Sequence, residues 1–269
     1  MYQETQRMED FKNIKFSIVL IRPKEVGNIG SVARVMCNFN FTDLVIFNPS
    51  ESKQKILSYY THGFAMGGKN VLMNAKIIEI ENQENYIEDF GTFLDQFDLV
   101  IATTAKGTSS GNIKRTAITP EELEIPLSLS KLKIAILFGR ESRGLSNEEI
   151  RLADIILRIP TGAEYPTLNL SHACSIILYE IFKKVHQENK GNFKNLIELA
   201  NRGDRQNLLK IIESLIEKLK IRTHRKEHVF LAFRNIFERA FISKKELNLI
   251  FGVFSKMGNI LGEITPYKS

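Results

Sequence analysis

Residues 16–34 read FSIVLIRPKEVGNIGSVAR, an apolar β-rich run that breaks into a small polar loop and then into a helical pattern. Two later stretches repeat this layout: 134–138 runs into GRESRG at 139–144, and 155–159 runs into PTGAEYPTLN at 160–169. The carboxyl ends of parallel strands lie along one edge of an α/β sheet, so loops that are distant in sequence meet there. The sequence therefore predicts an α/β fold with its functional site at that edge.

The remaining pattern extends this prediction to a whole domain. Further strands are expected near 43–47, 76–80 and 98–102, with helices near 30–40, 51–59, 84–95, 146–152 and 168–187. Buried strands that alternate with amphipathic helices indicate a mostly parallel sheet with helices on both faces. A polar stretch at 185–194 then leads to three amphipathic segments, 207–220, 228–240 and 243–256, the last opened by a Ser243–Glu246 capping box. We predict a domain over 1–187 and a helical extension over 188–269.

Composition places the chain among soluble proteins. Its 269 residues, 43% of them hydrophobic, can form a full α/β core with a smaller appendage. No apolar run approaches the roughly 18 residues of a membrane span, and residues 1–10 lack the apolar core of a signal peptide. Cys37 and Cys174 lie in apolar helical patterns and are expected to pack in the core, without a disulfide or a metal. We expect a cytoplasmic protein without membrane contact.

The basic residues are concentrated in one part of the chain. Residues 1–182 contain 19 Lys+Arg and 22 Asp+Glu, whereas residues 183–269 contain 18 and 9, so the C-terminal third carries a net charge of about +9. Such a segment favours contact with RNA phosphates, which provide most of the sequence-independent affinity. Ordinary solvated helix faces are the alternative, because glutamates are interleaved with the bases.

The first loop has the pattern G-x-x-G-x-x-A, which differs from the G-x-G-x-x-G of dinucleotide-binding folds. Phe47-Asn48-Pro49 also stands where such a fold would place an acidic residue, so a nicotinamide enzyme is disfavoured. Gly27 and Gly30 allow a tight turn, and the helix that follows offers N–H groups to an anion. Arg34, four residues after Gly30, is expected at the mouth of the crevice to meet a phosphate or a ribose hydroxyl; a surface salt bridge is the alternative.

Taken together, the three loops resemble a known set of motifs. Asn28-x-Gly30-x-x-x-Arg34, Phe138-Gly139-Arg140-Glu141 with Gly144-Leu145, and Ile159-Pro160 with Glu164–Leu170 are similar to motifs 1, 2 and 3 of the SpoU/TrmH branch of the SPOUT RNA methyltransferases. Within that branch the chain resembles the TrmJ group of tRNA 2'-O-methyltransferases most. Residues 233–240 and 246–252 resemble the C-terminal extension of that group, so the likeness covers nearly the whole chain.

This resemblance implies a fold and a donor site. It implies a C-terminal trefoil knot, which general rules of topology would not suggest, and a homodimer in which motif 1 of one subunit faces the cofactor pocket of the other. It also implies that S-adenosyl-L-methionine is bound without a metal. The residues that the resemblance assigns to the cofactor are Thr103, Thr104, Ala105, Gly139, Ile159, Pro166, Thr167, Leu168 and Asn169. The family has Ser where Pro166 stands, and Pro166 cannot donate a backbone hydrogen bond.

The resemblance also assigns the catalytic residue. Arg34 corresponds to the proposed catalytic arginine of the family; because a guanidinium stays protonated, we favour a role in orienting the nucleotide and stabilising the alkoxide over a general base. Asn28 and Glu141 are expected to orient Arg34 or the nucleotide, or else to brace their loops. The implied substrate is tRNA at the anticodon loop, near position 32.

Three alternatives stay open on the sequence. The first two are a 2'-O-methyltransferase of another RNA, such as rRNA, and a SPOUT-like protein that binds RNA without catalysis. The third is a zinc peptidase, because His224-Arg225-Lys226-Glu227-His228 fits H-x-x-E-H. Three cationic side chains, Arg222, Arg225 and Lys226, oppose a dication there, so a solvated basic helix start is the better interpretation.

Overall fold

The computed structural model describes residues 13–105, 117–125, 131–188, 198–219, 221–240 and 242–263. Its strands are β1 Ile14–Ile21, β2 Asp43–Phe47, β3 Lys76–Ile78, β4 Leu99–Thr103, β5 Leu132–Phe138 and β6 Ile155–Leu157. Its helices are α1 Val26–Asn38, α2 Lys53–Ile56, α3 Tyr59–Ala65, α4 Lys69–Met73, α5 Tyr86–Leu94, α6 Asn147–Arg151, α7 Leu170–Glu188, α8 Arg202–Lys218, α9 Thr223–Arg239 and α10 Lys244–Glu263.

The six strands form one sheet in the order β3-β2-β1-β5-β4-β6, and every neighbouring pair is parallel. This arrangement confirms the predicted α/β class and all six predicted strands. It also places the carboxyl ends of β1, β4, β5 and β6 along one edge, which is where the three polar loops begin.

Both faces of the sheet are covered, as the continuous apolar strands predict. Val19 and Ile21 of β1 pack with Phe47 and Phe90 in a core cluster on one face. The alternate β1 residues Ile18 and Leu20 are equally inaccessible to solvent. Because successive side chains of a strand point to opposite faces, the other face is buried too.

Described residues from 198 onward form a second compact unit, separate from those up to 188. Its core is built by Leu208, Ile212 and Ile216 of α8 with Phe237 of α9 and Leu247 of α10. The Ser243 capping box is confirmed: Glu246 N donates to Ser243 Oγ at 3.2 Å, and Ser243 N donates to the Glu246 carboxylate at 2.9 Å.

Some local predictions were wrong. The helix expected over 51–59 is two short helices, because Ser52 and Ser58 each cap a separate start and accept from Lys55 N and Thr61 N. Cys37 is exposed, and its thiol lies 3.5 Å from Gly67 O, whereas Cys174 is buried as predicted. Full burial raises the pKa of the Cys174 thiol well above its ordinary value. No described helix is long and apolar enough to cross a membrane.

Candidate active site

A cavity of about 360 Å³ opens where β4, β5 and β6 end. Nine of the residues predicted for the site line it: Thr103, Thr104, Ala105, Gly139, Glu141, Ile159, Pro166, Thr167 and Leu168. Asn28, Arg34 and Asn169 lie outside the lining. Sequence reasoning missed several other lining residues, among them Arg140, Arg143, Leu145, Leu157, Thr161, Leu170 and Ile177.

The strand ends at the cavity are tied to one another. Thr103 Oγ1 donates to Leu137 O of the neighbouring strand at 2.9 Å, and Thr104 N donates to Leu157 O at 2.9 Å. Thr161 Oγ1 donates to Pro166 O at 3.1 Å, so the carbonyl of the proline already has a partner within its own loop. These bonds fix the backbone of the lining before any ligand enters.

Gly139 is required at the end of β5 by close packing. A Cβ atom built there would overlap the backbone of Gly144 and Leu145, which returns over it. The return is a tight turn in which Gly144 N donates to Arg140 O at 2.8 Å, and Gly144 itself has φ +65°. Only glycine adopts that conformation without strain. The loop at 139–144 is thus folded on itself against the cavity.

A network of hydrogen bonds and an ion pair joins this loop to α5 and α6. Arg140 forms a bidentate pair with the fully buried Glu149, with Nη1–Oε2 at 2.9 Å and Nη2–Oε1 at 2.8 Å. Tyr86 Oη donates to Glu149 Oε1 at 2.6 Å, and Ser146 N donates to Glu149 Oε2 at 2.6 Å. These four donor atoms, two of them from Arg140, saturate the Glu149 carboxylate, so the cost of its burial is compensated by hydrogen bonds.

The network shifts the ionisation of its members. Burial alone would raise the pKa of Glu149, but the hydrogen bonds from Arg140 and Tyr86 outweigh it and hold that pKa below its ordinary value. Burial and the hydrogen bond to Glu149 raise the pKa of Tyr86. The sequence carried one signal for this network, since Ser146 followed by Glu149 is a capping-box spacing, and both capping bonds are present.

Replacing Glu149 with glutamine is expected to lower the free energy of unfolding by about 3 kcal/mol, because it leaves the partly buried Arg140 charge without its anionic partner. The Glu149 pKa is lower in the folded chain than its unfolded value of 4.5. The ionised Glu149 carboxylate therefore stabilises the fold fully above pH 4.5, and this stabilisation is lost as the pH falls through the folded pKa of Glu149. Denaturant unfolding at pH 7 measures the loss of stability in the variant, and its repetition at acid pH measures how the stabilisation depends on pH. Glu148→Gln, at the exposed neighbouring position, is the control; equal losses in the two variants would contradict the prediction.

A chain of side chains joins the three motif loops. The Glu141 carboxylate accepts from Lys24 N, Glu25 N and Asn28 Nδ2 at 3.1–3.2 Å. Asn169 Nδ2 then donates to Asn28 Oδ1 at 3.0 Å, while Asn169 Oδ1 accepts from Ser171 N at the start of α7. These hydrogen bonds connect the loops of the three motifs to one another.

This contact corrects the prediction for the first loop. The helix begins at Val26 instead of near residue 30, so Gly27, Asn28 and Gly30 belong to it. The backbone N–H groups just before it are taken by Glu141 of the same chain rather than left for an anion. Gly30 serves helix packing, because a Cβ there would lie 2.5 Å from Thr61 O and 2.9 Å from Phe64 Cβ of α3.

Arg34 is exposed on α1. Its side chain has no hydrogen-bond or ion-pair partner within the part of the chain that the structure describes, so the surface salt bridge is not observed there. The side chain is presented to solvent and does not reach the cavity of its own chain.

The residues of the zinc hypothesis lie at the start of α9. The side chain of His224 lies outside the described residues, and His228 is exposed on α9. Among the described residues, no group of three His, Cys, Asp or Glu side chains is placed to hold a metal ion.

Comparison with known proteins fits this geometry. Residues 15–179 match the model of the SpoU rRNA Methylase family. The chain belongs to the SpoU rRNA Methylase family. The SpoU match contains all twelve predicted site residues.

The likeness to individual SpoU-type proteins extends beyond the matched segment. The tRNA (cytidine-2'-O-)-methyltransferase TrmJ of Methanocaldococcus jannaschii is 38% identical over 243 residues, which cover 90% of this chain and 99% of that protein. The solved structure of a "probable methylase family protein" from Haemophilus influenzae aligns with a TM-score of 0.59 at 27% identity, covering 93% of this chain and 98% of that chain. TrmJ from Z. mobilis aligns with a TM-score of 0.57 at 24% identity, covering 90% and 98%, and supports the fold.

Proposed function

We propose that this SpoU protein is an S-adenosyl-L-methionine-dependent tRNA 2'-O-methyltransferase. The observation that carries the proposal is one cavity lined by the second and third motif loops and hydrogen-bonded through Glu141 and Asn169 to the first, in a chain related over nearly its full length to a tRNA methyltransferase. Work on tRNA also implies a cytoplasmic location. The target is the ribose of an anticodon-loop nucleotide near position 32.

The cavity fits the donor. Its volume of about 360 Å³ falls within the range of small-molecule sites, and Leu157, Ile159 and Ile177 supply apolar walls. The backbone around Gly139, Thr167 and Leu168 would hold the polar edges, while the Pro166 ring replaces a donor with an apolar contact. When bound, S-adenosyl-L-methionine supplies a methyl group activated on a sulfonium.

The protein's own task is alignment. A guanidinium remains protonated at physiological pH and presents several N–H donors, so Arg34 would orient the ribose or the adjacent phosphate and stabilise the developing alkoxide. Positioning the 2'-oxygen in line with the methyl group supplies much of the acceleration in such a transfer. Glu141 and Asn28 keep the helix that carries Arg34 in register with the cavity.

We infer that the site is completed by a second copy of the chain. Arg34 lies outside the lining of its own cavity, which a homodimer would resolve by presenting it to the cavity of the partner. On α7, Ile176 and Tyr179 are exposed by 38% and 47%, and the Tyr179 ring lies 5.8 Å from that of Phe39 beside the end of α1. An exposed apolar face next to α1 suits a subunit contact.

The remaining proposals concern the fold and the extension. The sheet order takes the chain from β4 to the inner strand β5 and then back past β4 to the edge strand β6, which is compatible with the trefoil knot of SPOUT proteins. The net positive charge of residues 183–269 supports contact of the extension with tRNA phosphates.

The function is tested by transfer of labelled methyl groups from S-adenosyl-L-methionine to tRNA lacking 2'-O-methylation, followed by mapping of the modified nucleotide. We expect incorporation at one ribose in the anticodon loop. Incorporation into rRNA alone would favour another RNA substrate, and RNA binding without incorporation would favour a non-catalytic protein. Cytidine and uridine variants of the target nucleotide would establish the base preference.

A further inference from the structure

The segment between β2 and β3 exposes large apolar side chains. Tyr59 is 90% exposed, Tyr60 is 64% exposed and Met66 is 56% exposed. Tyr60 contacts the ring of Phe64 at 5.1 Å between centroids, in an edge-to-face geometry. Single exposed apolar residues are common, but a cluster of rings on one short helix marks an interaction surface. We call Lys53, Tyr59, Tyr60 and Lys69 the α3 patch.

The α3 patch is locally basic within an acidic region of sequence. Residues 52–78 contain Lys53, Lys55, Lys69 and Lys76 but no aspartate or glutamate. Lys55 is paired with Glu51 at 2.6 Å. Lys53 and Lys69 are exposed and have no ion-pair partner among the residues that the structure describes. In the sequence, the two tyrosines therefore lie between two exposed lysines that are available to an anionic partner.

The helix α3, which carries the two tyrosines of the α3 patch, is held firmly against α1. Thr61 of α3 is fully buried, and its Oγ1 donates to Lys55 O at 3.1 Å. Phe64 packs over Gly27 and Gly30 of α1. Beyond α3, the backbone at Gly68 lies against the backbone of Ala33 and Arg34 so closely that no Cβ would fit. The helix that carries Arg34 and the exposed rings are thus one packed unit.

We propose that Tyr59 and Tyr60 form a stacking platform for unpaired bases of the RNA substrate, with Lys53 and Lys69 contacting its phosphates. This inference rests on the proposed function and adds to it a contact surface outside the donor cavity and the basic extension. Proteins bind single-stranded RNA by stacking bases on aromatic side chains within a positively charged groove. Stacking tolerates any base, so the platform gives affinity and register rather than base identity.

The charge of the α3 patch favours RNA over a second copy of the chain. An isologous dimer contact places the same surface of both subunits together. At the α3 patch such a contact would bring the lysines of two subunits near one another, which costs free energy unless an anion intervenes. A phosphate backbone gains from the same lysines by releasing counterions.

The test compares Tyr59→Ala/Tyr60→Ala with Tyr59→Phe/Tyr60→Phe. We expect the alanine variant to raise the tRNA dissociation constant and the KM for tRNA at least tenfold, since each stacked base contributes substantially to affinity. The phenylalanine variant keeps the rings and should stay within about twofold of wild type. The dissociation constant for S-adenosyl-L-methionine and the thermal midpoint should be unchanged in both variants, because the rings are exposed.

A charge variant tests the phosphate contacts independently. Lys53→Ser/Lys69→Ser should reduce the slope of log Kd for tRNA against log salt by about 1.4, which corresponds to two contacts on a single strand. Lys131→Ser/Lys133→Ser is the matched control, since these exposed lysines lie at the amino end of β5, away from the cavity. Its slope should equal that of wild type.

Two outcomes would overturn the inference. One is an unchanged tRNA dissociation constant in the folded alanine variant. The other is loss of the dimer on ultracentrifugation in that variant, which would assign the α3 patch to a second copy. Wild-type methyl transfer is measured in parallel: its absence defeats the proposed function, whereas normal wild-type transfer with an unaffected alanine variant defeats only the platform.

Discussion

Replacing Arg34 with alanine is expected to reduce the rate of methyl transfer to tRNA by about 10²–10³-fold, the cost of removing one donor to a developing oxyanion. The side chain is exposed and, in the described structure, unpaired, so the fold should lose almost no stability. Turnover with saturating donor and tRNA measures the effect, and the donor dissociation constant should stay at its wild-type value.

Two companion variants sharpen this prediction. Arg34→Lys keeps the charge but loses the planar fork of donors, so it should recover only a small part of the rate. Arg151→Ala removes an exposed arginine of α6 that does not line the cavity, and should leave turnover unchanged. Full activity in Arg34→Ala would remove this residue from the mechanism.

Replacing Gly139 with alanine is expected to weaken binding of S-adenosyl-L-methionine about a hundredfold. The added methyl group overlaps the backbone of Gly144 and Leu145, so the turn at 139–144 must move away from the cavity. Overpacking of this kind costs about 1–3 kcal/mol of stability, which a domain of this size tolerates. Calorimetric titration with the donor measures the affinity, and thermal unfolding measures the stability.

Gly162→Ala is the matched control for this prediction. It lies in the third motif loop, where a Cβ would meet nothing within 4 Å and the backbone has no positive φ. We expect wild-type donor affinity from it. Similar losses in both glycine variants would show that the loops respond to any added methyl group, and not to the close approach at Gly139.

The Arg34→Ala and Gly139→Ala variants together test whether the site is shared between two subunits. A mixed dimer of one Arg34→Ala and one Gly139→Ala subunit would retain one complete site, in which the intact arginine faces the intact cavity. Co-expression and purification through two different tags should therefore recover methyl transfer that neither parent shows. If arginine and cavity act within a single chain, the mixed dimer keeps no complete site and stays inactive.

The sequence was most informative where structure depends on neighbouring residues. All six strands were predicted because strands buried on both faces are continuously apolar. The parallel sheet predicted the edge at which the polar loops meet, whereas the resemblance to the SpoU/TrmH motifs named the nine predicted residues that line the cavity.

Contacts between distant residues could not be predicted in the same way. The start of α1 is set by Glu141, which lies more than 110 positions away in the chain. The partner of Glu149 in the core is Tyr86, 63 positions earlier. No local sequence pattern predicts such pairs, because the two residues of each pair come together only when the sheet has formed. The break between α2 and α3 was a local signal that was missed, since Ser52 and Ser58 both favour helix starts.

The position of the Glu141 carboxylate has a consequence for how the donor and the nucleic acid affect each other's binding. It borders the cavity and at the same time accepts hydrogen bonds from the backbone at the amino end of the helix that bears Arg34, the proposed catalytic residue. If the donor displaces this carboxylate, the helix that bears Arg34 loses these contacts, and the affinity for the nucleic acid changes. Thermodynamic reciprocity then requires the nucleic acid to alter donor affinity by the same factor. In that case a single acidic side chain would couple the binding of the two substrates.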